Sequence, residues 1–216
     1  MAFSDQLLVG EMSPEEIPVD AALRYLLAQP GRVLAPGECE AFVAGIAAAC
    51  LRYGVKFSPR FAQAMVETNN GRYGGQVLVA QKNIGGIGAT DDGAAGVSNP
   101  TWARAGEVFV AHSLAWAGDA RGVDSPRYAL VIQKAARTGF ARTFRDLGDG
   151  RWATDPVYGD TIDRRYAEIA RMVPMAKLAR VPRPPIVNRL VVGETKWKLT
   201  PGKGVEARRQ QRKPLG

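Results

Sequence analysis

A single carboxylic acid stands where an apolar helical pattern gives way to a glycine-rich stretch. Apolar residues over 61–66 recur at helical spacing and place Glu67 in the last turn, before Asn69-Asn70-Gly71 ends the helix. The negative end of the helix dipole and the apolar neighbours of Glu67 both disfavour its ionised form. A carboxyl group that keeps its proton is what general acid catalysis requires. On periodicity alone, an exposed glutamate at a helix end is the better interpretation.

The segment after this helix is predicted to form loops and a short β-hairpin. Residues 71–99 are rich in glycine and poor in helix formers, and Asp92-Gly93 is a turn signal. Asp91 and Asp92 are the candidates for a second catalytic acid, and spacing does not choose between them. For Asp92, a plain turn residue is an equally good interpretation.

The rest of the chain predicts a mainly helical fold. Ser58-Pro59 is a start signal for the helix that carries Glu67, and Thr154-Asp155-Pro156 is one for the last helix, with Asp155 as its cap. Further apolar periodicity predicts helices over 20–27, 38–53, 101–117, 125–138 and 156–173. The predicted class is α+β, predominantly α-helical.

Charge divides the chain into two parts. Residues 177–216 hold 11 of the 29 Lys and Arg but only two of the 21 acidic residues, so residues 1–176 are close to neutral. We therefore predict a catalytic domain over 1–176, with a helical lead-in, and a basic, proline-containing tail over 177–216. The charge of this tail indicates that it either binds an anionic partner or forms a disordered, solubilising end.

The composition gives little support for a disulfide, a catalytic histidine, a metal site or a membrane span. Cys39 and Cys50 lie on one predicted helix, roughly 16 Å apart at its ordinary rise, so they predict two buried thiols and no disulfide. The single histidine, His112, lies on an apolar helix face, so we predict that its side chain is buried. One histidine and two cysteines make no metal cluster, and we expect neither a metal nor a cofactor. No apolar run is long enough for a membrane span.

Four segments in order resemble the endo-β-N-acetylglucosaminidases of glycoside hydrolase family 73. Residues 63–68 fit that family's Gln-Ala-x-x-Glu-Thr motif, and 83–90 resemble its glycine-rich cleft segment. Residues 102–114 are similar to the next helix, and 152–158 resemble its Tyr-Ala-Thr-Asp-Pro-x-Tyr signature. The resemblance covers about 38–172 and implies a lysozyme-like fold with a short hairpin after the glutamate helix.

The resemblance implies cleavage of the β-1,4 bond of peptidoglycan, with Glu67 as the general acid. Asp91 or Asp92 would activate water or stabilise the transition state, unless the N-acetyl group of the substrate supplies the nucleophile. Trp152 replaces the first tyrosine of the signature, so any hydroxyl role there is lost, although an indole can still stack on a sugar. The implied substrate-binding residues are Gln63, Tyr73, Asn83, Gly86, Gly88, Trp152 and Tyr158.

Two other functions stay open from the sequence. A lytic transglycosylase of similar fold would leave 1,6-anhydro ends, and a basic virion or wall-binding protein would have no activity. Anionic cell-wall polymers are the expected partners of residues 177–216, and nucleic acid ranks last because Trp197 is the segment's one aromatic residue. No secretory signal is evident at the N-terminus. We therefore expect a phage endolysin held in the host cytoplasm until release, or a virion-borne lysin, and rank a host autolysin below both.

Overall fold

A computed structural model describes residues 17–89, 96–148 and 150–172 as a helical assembly. The α-helices are α1 (Val19–Leu27), α2 (Pro36–Tyr53), α3 (Phe57–Glu67), α4 (Trp102–Trp116), α5 (Tyr128–Thr138) and α6 (Tyr158–Met172). Short 3-10 helices cover Val79–Gln81, Ala120–Asp124 and Arg145–Leu147. The predicted helices are confirmed, with ends that agree to within three residues.

The core is built around a close approach of α2 and α4. Gly45 of α2 and Gly106 of α4 lie where the two backbones meet, and a Cβ added at either would overlap backbone atoms of the other helix. Phe42 and Trp102 pack edge to face beside this crossing, with ring centroids 5.4 Å apart. The helix that follows the glycine-rich segment is thereby fixed against the rest of the domain.

We expect Gly106→Ala to destabilise the fold by about 1–3 kcal/mol, because the added methyl group forces two packed helices apart. Gly37→Ala is the matched control, since a Cβ at Gly37 meets nothing within 4 Å. Urea unfolding of the two variants measures the difference. Equal stabilities would contradict the tight crossing.

α3 is enclosed on most of its surface. Residues 57–65 are all buried, and Phe57 stacks on Phe61 with centroids 5.7 Å apart. The start of this helix differs from the prediction, because Lys56 rather than Ser58 precedes the first helical residue. Ser58 lies inside the helix, and its hydroxyl accepts a hydrogen bond from the Ile17 N–H at 2.7 Å. Burial of Ser58 against the chain entering α1 therefore replaces the predicted capping role.

The structure gives the predicted β-hairpin no support in the described residues. Residues 71–89 and 96–99 form turns, bends, one 3-10 helix and a single bridge residue at Ala89, without a strand. Glycines with positive φ interrupt the backbone there, including Gly86 (59°), Gly88 (76°) and Gly96 (75°), so an extended ladder does not form. The predicted turn at Asp92-Gly93 lies outside the described residues, as does the segment 177–216.

The structure also bears on the predictions for the two cysteines and for a membrane span. Cys39 and Cys50 are both buried, as predicted, and their thiols are not joined in a disulfide. Within the described ranges, no helix combines the length and the apolar character needed to cross a membrane.

Candidate active site

Glu67 is the last residue of α3, at a sharp reversal of the chain. Asn69, Asn70 and Gly71 all have left-handed backbones, with φ of 48°, 58° and 73°. The Thr68 hydroxyl donates to the Ala64 carbonyl at 2.7 Å and accepts the Gly71 N–H at 3.1 Å. The Asn-Asn-Gly run thus turns the backbone away directly after Glu67, and Thr68 ties the turn to the helix.

Two donors converge on one oxygen of the Glu67 carboxyl group. The indole Nε1–H of Trp152 donates to Glu67 Oε1 at 3.0 Å, and the Tyr158 hydroxyl makes a short hydrogen bond to the same oxygen. Gln63, one turn before Glu67 on α3, donates from Nε2 to the Tyr158 hydroxyl at 3.2 Å. Residues from α3, α6 and the loop before α6 therefore form one hydrogen-bonded group.

This environment raises the pKa of Glu67 to about 7, because burial of the carboxyl group disfavours its charge. The two hydrogen bonds act in the opposite direction, since they stabilise the carboxylate. Burial and the neighbouring Glu67 charge raise the pKa of Tyr158 well above 10, so its hydroxyl remains a donor at working pH. Glu67 can therefore exchange a proton near neutrality while its neighbours keep theirs.

Trp152 is held in place from several sides. Its indole meets Phe109 edge to face at a centroid distance of 5.6 Å and His112 at 5.0 Å. A Cβ at Gly85 would lie 2.5 Å from Trp152 Cζ2, so only glycine lets the loop lie against this ring. The side chain that donates to Glu67 is therefore fixed by α4 and the glycine-rich segment.

A cavity of about 200 Å³ opens on the side of Trp152 where the glycine-rich segment lies. Glu67 does not line this cavity. Among the described residues, Trp152 connects the two, because it lines the cavity and donates a hydrogen bond to the Glu67 carboxyl group. The lining residues are Gly85, Gly86, Ile87, Gly88, Ala89, His112, Trp116, Arg127, Leu130, Val131, Lys134, Arg151 and Trp152. A cleft beside a carboxyl group of raised pKa is the arrangement of a candidate active site.

Comparison with known proteins agrees with this geometry. A model of the Glucosaminidase family, described as mannosyl-glycoprotein endo-beta-N-acetylglucosaminidase, matches residues 44–171. The chain belongs to the Glucosaminidase family. The resemblance to glycoside hydrolase family 73 is thereby confirmed, and the protein is a glycosidase. No curated protein and no solved structure matches the chain.

Of the residues predicted to bind substrate, some have structural roles in this glucosaminidase. Asn83 is buried, and its amide group donates to the Ile87 carbonyl at 3.0 Å and accepts the Ile87 N–H at 2.9 Å. Asn83 therefore shapes the loop that lines the cavity. Gln63 is fully buried and reaches Glu67 only through Tyr158, whose own ring is 4% exposed. Neither ring face of Tyr158 is open for stacking on a sugar.

The remaining predicted residues divide between the cavity and other places. Gly86 and Gly88 lie in its lining, and Trp152 forms one wall. Tyr73 lies elsewhere: it is half-buried against the core, and its hydroxyl has no hydrogen-bond partner among the described residues. Asp91 and Asp92 lie outside the described residues.

The structure also changes what Trp152 contributes to the glucosaminidase site. The sequence predicts that a role of the signature tyrosine hydroxyl is lost, whereas the indole N–H donates a hydrogen bond to Glu67. Residues that the sequence does not single out include Trp116, Arg127 and Lys134, which meet at the cavity from α4, α5 and the residue before α5. No motif marks them, because only the packing of α5 on α4 brings them together.

His112 lies between Trp152 and Trp116 under the cavity, 8% exposed. Its Nδ1 lies 3.0 Å from the Ser125 hydroxyl. Burial and the charge of Arg127 lower the pKa of His112 to about 4, so the imidazole is neutral at working pH. The predicted burial of His112 is confirmed, and its low pKa distinguishes it from Glu67, whose pKa is about 7.

Proposed function

We propose that this glucosaminidase is a peptidoglycan hydrolase of lysozyme-like fold that cleaves the β-1,4 bond after N-acetylglucosamine, with Glu67 as the general acid. The observation that carries the proposal is the Glu67 carboxyl group, half-buried, with a pKa of about 7 and two donors on one oxygen. A carboxylic acid that is partly protonated at neutral pH can protonate the leaving sugar oxygen.

The hydrogen bonds indicate which carboxyl oxygen would deliver the proton. Oε1 accepts from both Trp152 and Tyr158, whereas no donor among the described residues reaches Oε2. In the protonated acid the hydrogen therefore resides on Oε2, and Oε1 stays an acceptor. As the proton leaves, the two donors stabilise the negative charge that develops on the carboxylate, a form of electrostatic stabilisation.

The second half of the reaction needs a nucleophile. Asp91 or Asp92 would serve as a second acid that activates water for this role or stabilises the transition state, and the acetamido group of the substrate is the alternative nucleophile. A carboxyl separation of about 5–5.5 Å corresponds to retention, and one of about 6.5–9.5 Å corresponds to inversion. Comparing Asp91→Asn with Asp92→Asn, each assayed for reducing ends and product anomer, distinguishes these routes.

Product analysis tests the proposed reaction directly. Purified peptidoglycan is digested with the protein, and the soluble fragments are analysed by mass spectrometry after borohydride reduction. New reducing N-acetylglucosamine ends support the proposal. Fragments that end in 1,6-anhydromuramic acid would identify a lytic transglycosylase, and no release at all would favour a non-catalytic wall-binding protein.

We expect Gly85→Ala to lower the rate of fragment release by about 10²-fold, because the added methyl group displaces Trp152 and so misplaces the donor to Glu67. Gly75→Ala is the matched control, since a Cβ at Gly75 meets nothing within 4 Å. Unchanged turnover in a folded Gly85→Ala protein would show that the position of Trp152 is unimportant for catalysis.

The biological setting is part of the proposal. We place residues 177–216, with their excess of basic residues, against anionic wall polymers, an attraction that salt would weaken. Release of the enzyme as a phage endolysin, or its carriage on a virion, is the setting that the sequence predicts. Wall binding of the full chain measured from 50 to 500 mM salt, beside a chain that ends at residue 176, tests the role of the tail.

A further inference from the structure

The cavity beside Trp152 is lined by positive charge. Arg127, Lys134 and Arg151 all contribute to its wall, and no acidic side chain is among its described lining residues. The remaining wall is aromatic, aliphatic or glycine backbone. A concave site with one sign of charge favours a ligand that carries the opposite sign.

The three basic side chains are not equally available to a ligand. The Arg151 guanidinium donates to the carbonyls of Thr138, Gly139 and Asp146 at 2.8–3.1 Å, so each of its three nitrogen atoms already has a hydrogen-bond partner. The Lys134 ammonium lies 5.4 Å from the centroid of the Trp116 ring.

Arg127 has the more available guanidinium. Its guanidinium makes no hydrogen bond or ion pair with the side chains or backbone that the structure describes. A Cβ at Gly88 would lie 2.8 Å from Arg127 Nη1, so the side chain lies directly over the backbone of the cavity loop. The absence of a side chain at Gly88 therefore gives the guanidinium its place at the cavity.

The position of the cavity limits what its ligand could be. One indole, Trp152, donates to Glu67 with its N–H and borders the cavity with its ring, so both sites lie within reach of one disaccharide. In a peptidoglycan disaccharide, the muramic acid carries a lactyl ether whose carboxyl group is free or extends into a peptide with its own carboxylates. N-acetylglucosamine carries no anionic group.

We infer that the cavity binds a carboxylate on the muramyl substituent of the substrate, with Arg127 as the hydrogen-bonding residue and Lys134 as a second charge. Arginine suits this role because its planar donors match a carboxylate in pairs. The inference rests on the proposed function and adds a determinant that distinguishes muramyl glycans from neutral chitin-like ones.

Equilibrium binding tests the inference without turnover. Calorimetry on the Glu67→Gln protein would compare an N-acetylglucosamine–N-acetylmuramic acid glycan with free lactyl carboxylates, the same glycan after conversion of its carboxylates to amides, and a peptide-bearing glycan. We expect the carboxylate form to bind about tenfold more tightly than the amide form, as one charge-assisted hydrogen-bonded pair would give. A further gain for the peptide-bearing glycan would assign the site to a carboxylate of the peptide.

Substitutions on the same background assign the effect to one residue. Arg127→Gln is expected to remove the preference for the carboxylate form, and Arg127→Lys to keep part of it. Arg137→Gln removes the same charge from an exposed position on α5 outside the cavity, so it should keep the full preference. Equal affinity for the two glycans, no binding of either, or a preference that persists in Arg127→Gln would overturn the inference. Failure of the proposed function would appear separately, as wall digests without new reducing ends.

Discussion

Replacing Glu67 with glutamine is expected to lower the rate of fragment release from peptidoglycan by about 10²–10⁴-fold, the usual contribution of a general acid. The amide oxygen can still accept the hydrogen bonds from Trp152 and Tyr158, so the site keeps its shape. The amide has no acidic proton to give to the leaving oxygen. Release of reducing ends at pH 6, with the unfolding temperature measured in parallel, separates lost chemistry from lost structure.

Glu40→Gln is the matched control for this substitution. Glu40 is exposed on α2, and it forms no hydrogen bond or ion pair among the residues that the structure describes. The same change there should leave the rate unaltered. A Glu67→Gln protein that retains more than about a tenth of the original rate would refute the proposed role, because a general acid contributes at least about 10²-fold.

The sequence predicts the helices well because local signals determine them. Apolar periodicity marks α2, α4 and α6, and Gly54 ends α2 with a left-handed φ of 63°, as a helix-stopping glycine does. The same local signals mislead at Ser58, because the packing of Ile17 against α3 occupies the hydroxyl. The glycine-rich segment is misjudged for a related reason, since Asn83 holds its backbone in turns through two hydrogen bonds to Ile87.

The sequence identifies Glu67 as a site residue, but it does not show which residues hydrogen-bond to its carboxyl group. Glu67 is marked by its position at a helix end and by the motif around it. Its two hydrogen-bond donors are 85 and 91 residues away along the chain, and only the packing of α6 and the preceding loop against α3 brings them to one oxygen. Arg127 is harder still to foresee, because its role depends on a glycine, Gly88, that leaves space for it.

The pH dependence of activity should have an alkaline limb near pH 7. Glu67 must be protonated to act, so the rate should fall by about tenfold per pH unit above its pKa of about 7. Tyr158→Phe removes a hydrogen bond that stabilises the carboxylate, so the pKa of Glu67 rises and the limb moves to higher pH. Tyr128→Phe removes a hydroxyl that hydrogen-bonds to no described residue, and it should leave the limb in place. A limb that does not move in Tyr158→Phe would contradict the assignment of the titrating group to Glu67.

The same pKa predicts a stability effect that needs no substrate. Between the ordinary pKa of 4.5 and the folded value of about 7, the folded protein holds the Glu67 proton and the unfolded chain does not. The contribution of this group to the free energy of unfolding is complete below pH 4.5 and is lost as the pH rises through 7. Glu67→Gln lacks the titration, so its stability relative to the parent protein should increase from pH 5 to pH 8. Parallel stability curves over that range would mean that Glu67 ionises as an exposed glutamate does, and a group of that kind would be a poor proton donor at neutral pH.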